Sequence, residues 1–135
     1  MKLSTHLNFD GSCEQAFRFY ERCFRGRIVT MRTYADSPMA SQVPPQWQSK
    51  ILHATLIMGE DTLMGADVLP EQYQKPQGFQ VVISLSDPVE AERLFQVLAE
   101  NGKVVIPMQQ TFWATGYGSL MDQFGLLWEI NCATP

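Results

Sequence analysis

The chain has 135 residues, 45% of them hydrophobic, and carries 10 basic against 14 acidic side chains for a formal charge of −4. That is enough for one domain (1–135) with a sizeable core, and it excludes the clustered Lys and Arg of a nucleic-acid footprint. No apolar run reaches membrane-spanning length, and Met1–His6 contains no signal-peptide core, so the expectation is a cytoplasmic protein with neither membrane nor nucleic-acid partners.

Residues 2–9 alternate, with Leu3, Thr5, Leu7 and Phe9 on one face and Lys2, Ser4, His6 and Asn8 on the other, which predicts a half-buried strand with a histidine on its polar side. After the Asp10-Gly11 turn, Ser12 and Gln15 have capping-box spacing. Cys13, Ala16, Phe17, Tyr20 and Phe24 then form a helical apolar stripe, closed by Gly26 as a left-handed cap. Residues 28–34 predict a second strand. From Ala35 to Lys50 the composition turns to Pro38, Pro44, Pro45, Ser and Gln, with Trp47, an irregular loop expected to be mobile and to serve either as a flap over a ligand or as an inert insertion. Strands at 51–58, carrying His53, and at 62–66 follow, with His53 expected in a hydrogen-bonded structural role. Residues 70–76 form a polar linker.

A second cycle starts at Gly78. Phe79, Val81, Ile83 and Leu85 alternate with Gln80, Val82, Ser84 and Ser86, and Asp87-Pro88-Val89-Glu90 is a strong helix start. Ala91, Leu94, Phe95 and Leu98 are its buried stripe, and Asn101-Gly102 ends it. A strand at 104–108 leads into the loop and hairpin of Thr111–Asn131, where Leu126, Trp128 and Ile130 point one way and Leu127, Glu129 and Asn131 the other. A carboxylate in so apolar a strand is solvated, paired or bound to a cation, because a lone buried charge is too costly. Phe112, Trp113 and Tyr117 stand in the adjoining glycine-bearing loop as candidate pocket walls, although aromatics also serve as plain core.

The order strand, helix, three strands thus occurs twice, at about 1–69 and 77–135. The fold class expected is α+β, with two βαβββ modules whose curled mixed sheets enclose a cleft. His6 and Gln80 take matching places in the two halves, as do Gly65 and Glu129. Cys13 and Cys23 lie ten residues apart in one predicted helix, beyond bridging distance at about 1.5 Å of rise per residue. With Cys132 in the tail, all three thiols are expected to be reduced.

Leu7-Asn8-Phe9-Asp10-Gly11 followed by Ala16-Phe17-Arg18-Phe19-Tyr20 carry a family resemblance. So do Ile51-Leu52-His53-Ala54-Thr55-Leu56, Thr111-Phe112-Trp113, Tyr117-Gly118 and Asp122-Gln123-Phe124-Gly125-Leu126-Leu127-Trp128. On these stretches the chain resembles the vicinal oxygen chelate superfamily (glyoxalase, bleomycin-resistance and dihydroxybiphenyl dioxygenase proteins), and more narrowly its PhnB-like group. That group is sometimes labelled as demethylubiquinone-methyltransferase-like, but no Gly-rich nucleotide turn of a methyltransferase stands in this sequence.

The resemblance implies a divalent cation (Zn²⁺, Ni²⁺, Mn²⁺ or Fe²⁺) on His6, Gln80 and Glu129, with Gly65, which offers no ligand atom, in the fourth place. It also implies a homodimer. Two functions follow as expectations. One is a metal-dependent lyase, isomerase or dioxygenase in which Glu129 or a metal-bound water moves a proton. The other is a metal-free protein of the bleomycin-resistance type that holds a small-molecule ligand. Trp113, Tyr117, Phe112 and Trp47 are the expected ligand contacts in either case.

Overall fold

The alternation around Leu7 and Phe9 becomes strand β1 (Thr5–Phe9) in the computed structural model, which describes residues 1–133. Helix α1 (Cys13–Phe24) and strands β2 (Arg27–Thr33), β3 (Ile51–Met58) and β4 (Asp61–Asp67) complete a first unit, Met1–Gln74. From Lys75 onward a second unit repeats the order as β5 (Val81–Leu85), α2 (Pro88–Leu98), β6 (Lys103–Gln109), β7 (Ala114–Met121) and β8 (Leu127–Ala133). The sheets run β1-β4-β3-β2 and β5-β8-β7-β6, with the first strand of each unit parallel to its last and the other pairs antiparallel. The chain is therefore α+β, built from two βαβββ modules with open mixed sheets.

One face of each sheet is covered by its helix. In the first unit Cys13, Ala16, Phe17, Tyr20 and Cys23 are buried, as are Leu7, Phe9, Ala54, Leu56 and Leu63 on the strands. Phe17 meets Phe9 edge-on at 6.2 Å. Burying each such large apolar side chain contributes roughly 1.5–3 kcal/mol. In the second unit Ala91, Leu94, Phe95 and Leu98 lie over a sheet face whose buried residues include Leu120, Trp128, Ile130 and Cys132. Gly118 lets the Phe95 ring approach, since a Cβ there would stand 2.8 Å from it.

The ends of α1 differ from the sequence expectation. Ser12 makes no side-chain cap. Instead the Asp67 carboxylate, at the end of β4, accepts from the backbone N–H groups of Gly11 and Cys13, and from Ile51 on its other oxygen, each at 2.9 Å. A charge already buried at the helix N-terminus satisfies orphan donors that a hydroxyl would otherwise take. At the other end the left-handed residue is Arg25 (φ 53°) rather than Gly26. Gly26 is required for space, because its Cβ would lie 2.7 Å from the Ile57 carbonyl oxygen. Helix α2 starts as expected, with Asp87 accepting from Val89 N–H at 3.0 Å. Cys13, Cys23 and Cys132 are buried thiols outside any disulfide.

The segment between β2 and β3 is better anchored than its composition suggested. It forms single 3₁₀ turns at Ala40–Gln42 and Pro45–Trp47. The Gln48 amide donates to the carbonyls of Ala40 (2.6 Å) and Val43 (3.1 Å), and Lys50 Nζ donates to Gly11 O at 3.0 Å. Trp47 is only 7% exposed and lies beside Gly11. A polar stretch with one large apolar anchor thus packs against the first unit.

Candidate functional site

Glu129 sits in the middle of β8, and strand register fixes its neighbours. It stands opposite Ser119 on β7 and beside Val82 on β5, while Tyr117 stands opposite Asn131. Side chains alternate along a strand, so Val82, Glu129, Asn131, Tyr117 and Ser119 share the face turned away from α2. Gln80 lies one residue before β5, and its amide still reaches the site, donating to Glu129 Oε2 at 3.1 Å. The Tyr117 hydroxyl also bonds to Glu129, which raises the tyrosine's pKa above its ordinary value, with burial and the carboxylate charge adding to it.

Trp113 completes the group. Its indole N–H donates to Asn131 Oδ1 at 3.2 Å, and its ring meets Tyr117 nearly perpendicularly (72°) with centroids 5.3 Å apart. Phe112 stands edge-on to Trp113 at 4.7 Å. Phe112 is 97% exposed and Trp113 47%, a costly display of apolar surface that marks a contact region rather than core. The structure therefore brings together Gln80, Glu129, Tyr117, Trp113 and Phe112. Trp47 is buried beside Gly11 in the first unit. Asn131 was missed, although its place two residues beyond Glu129 put it on the same face.

His6 is exposed on the open face of the first sheet, where its register neighbour is Met64, which in turn faces Thr55. The His53 ring shares a 3.0 Å hydrogen bond with Thr55 on the same face. Gly65 points the other way, into α1: its Cβ would stand 2.5 Å from the Phe17 ring. Matching Gly65 to Glu129 is thus a register error of one residue. By pairing, Glu129 corresponds to Met64, and His6 to Val82.

These positions test the fit of a divalent cation. The second unit offers one carboxylate (Glu129) and one carboxamide (Gln80), while the positions matched by register hold a thioether (Met64) and a hydrocarbon (Val82). A borderline or hard dication is held by at least three N, O or thiolate groups. Among the described residues no three His, Cys, Asp or Glu side chains gather to hold a metal. The residues of the second unit alone do not fit such an ion. On the helix side of the second sheet, away from Glu129, a cleft of about 250 Å³ is lined by Pro88, Glu92, Met108, Gln109, Thr115 and Cys132 among others. Among the described residues no helix is long and apolar enough to cross a membrane.

Comparison with known proteins gives consistent matches. The family described as 3-demethylubiquinone-9 3-methyltransferase matches residues 1–131. Protein YjdN of Escherichia coli K12 is 32% identical over 97% of this chain and 95% of its own. The crystal structure of PA1353 from Pseudomonas aeruginosa is 36% identical with a TM-score of 0.91, covering 100% of this chain and 99% of that one. The PhnB protein of Bacillus cereus, at 23% identity and a TM-score of 0.82 over 98% and 100% of the two chains, shares the fold. So do more distant proteins of the glyoxalase/bleomycin-resistance type.

Proposed function

Because this chain belongs to the PhnB-like group of the vicinal oxygen chelate superfamily, we propose that it holds a small organic molecule on the open face of its second sheet. Glu129 is the polar anchor of that site, and Trp113, Tyr117 and Phe112 are its walls. The observation that carries this is the pairing of a hydrogen-bonded carboxylate with exposed, mutually perpendicular aromatic rings. Rings fixed in place lose little entropy when they bind, and a single central acceptor orients the guest. The methyltransferase wording of the family description gains no support from the residues, which include no Gly-rich turn for a nucleotide.

A metal-dependent enzyme is the second reading. It is favoured by one observation, the exposed placement of His6 on the open face of its own sheet. In that reading His6 and Glu129 would hold the cation, Gln80 would assist through its amide oxygen, and the ion would supply Lewis-acid polarisation of adjacent substrate oxygens.

Calorimetric titration of the chelator-treated protein with Zn²⁺, Ni²⁺, Mn²⁺ and Fe²⁺ separates the two. Binding at micromolar levels that is lost in both His6→Ala and Glu129→Ala would establish the metal reading over the metal-free one. Saturation-transfer NMR with small aromatic alcohols and amines tests the binding face itself. Signals that persist unchanged in Trp113→Leu would remove it.

A further inference from the structure

The polar groups of this face are turned in a consistent sense. The Gln80 amide donates to Glu129 Oε2, and the Trp113 indole N–H is spent on Asn131 Oδ1. The Tyr117 hydroxyl is engaged with Glu129. Three side-chain donors are therefore directed inward, onto the floor of the site. What remains for a ligand is the charge of Glu129, whose two oxygens can accept about four hydrogen bonds, the Asn131 amide N–H groups, and the π-faces of Trp113, Tyr117 and Phe112.

Resting on the ligand-holding reading above, we propose that the site selects an organic cation, a substituted ammonium whose charge lies in the corner between the Trp113 and Tyr117 rings and beside Glu129. The negative face of an aromatic ring attracts such a charge within about 6 Å of its centroid, with Trp the most effective. The Trp113 and Tyr117 rings meet edge to face at 72°, so the open face of the edge-on ring stands beside the uncovered part of the other. No Lys or Arg among the described residues pairs with Glu129, and Arg93 is committed to Glu90 at the other side of α2's surface. The whole second unit has only Lys75, Arg93 and Lys103 as cations against six carboxylates. An anionic ligand would meet this field with amide N–H groups of Asn131 and Gln80 but no cation to offset it. A neutral ligand would forgo both attractions.

The test uses choline and its uncharged isostere 3,3-dimethylbutan-1-ol, with the intact protein and a chelator present throughout. The readout is the ¹⁵N-indole resonance of Trp113, assigned by its loss in Trp113→Leu. Choline is expected to shift that resonance with an affinity at least tenfold higher than the alcohol. Glu129→Gln should weaken choline at least tenfold more than it weakens the alcohol. Equal affinities in the wild-type protein would overturn the charge preference while the binding face stands. No shift of Trp113 by either compound at 50-fold excess over protein would remove face and preference together. The wild-type comparison holds even if Glu129→Gln fails to fold.

Discussion

The indole N–H of Trp128 donates to Asp122 Oδ2 at 2.8 Å, while the other carboxylate oxygen accepts the backbone N–H groups of Phe124 (2.8 Å) and Leu126 (3.0 Å). One buried carboxylate thus closes the β7–β8 turn and fixes the largest fully buried side chain of the second unit, next to Glu129 in β8. Asp122→Ala leaves three donors seeking partners and should cost about 3–5 kcal/mol, read by urea unfolding. The two buried tryptophans give an internal control. Trp128→Phe removes a hydrogen-bonded indole, whereas Trp47 carries a buried N–H without a partner among the described residues. Trp47→Phe should therefore be the milder change by about 1 kcal/mol or more. Equal losses would mean that the Asp122 bond contributes nothing.

Gly65→Ala should destabilise the first unit by about 1–3 kcal/mol through overpacking, because the added Cβ falls 2.5 Å from Phe17 and 3.0 Å from Leu7 O. Phe17→Leu in the same chain should relieve part of that loss. Additive losses in the double variant would show that the crowding lies elsewhere.

Stability should also fail on the alkaline side. Burial, with Asp67 adjacent, raises the pKa of the Cys13 thiol and of the Tyr34 hydroxyl. The folded state then retains protons that the unfolded chain gives up, so the stabilisation is complete below about pH 8.5 for the thiol and about pH 10 for the phenol. It declines as pH climbs through the raised folded-state values. Melting temperature should be flat near neutrality and drop above pH 9, and Cys13→Ala should soften that drop. An unchanged profile in the variant would exonerate the thiol.

A homodimer at micromolar concentration is expected. Outer strands β2 and β6 carry exposed Val29, Val104 and Val105, and unpaired apolar edges need cover. Sedimentation equilibrium giving the monomer mass of 15.3 kDa would count against it.

Much of the fold was legible because its signals are local. Alternation in β1 and β5, the Asp87-Pro88 start of α2 and the duplicated order all follow from residues within a few positions of each other. Facing was harder. Side chains reverse direction every residue, and the turns at Gly59-Glu60 and 122–126 differ in length, so counting from the turns matched Gly65 to Glu129 when pairing matches Met64. Similarly, Arg25 in the left-handed position and Asp67 at the start of α1 answer to contacts tens of residues away. The gathering of Glu129, Gln80, Trp113, Tyr117 and Phe112 was legible from polarity and position. The burial of Trp47 was not, since nothing local shows that a proline-rich loop folds its tryptophan inward.

The Asp67 contacts also bear on the order of events during synthesis. Its carboxylate fastens backbone groups 56 and 54 residues earlier in the chain, and one 16 residues earlier. The beginning of α1 therefore cannot be secured until the end of β4 has left the ribosome. Until then the helix exposes Phe17 and Tyr20 with no sheet beneath them. Synthesis at about 5–20 residues per second is slow compared with helix formation, so the nascent first unit should pass through a stage in which helix is present and protection from proteases is not. Protection should appear abruptly once residue 67 and the stretch just beyond it are free.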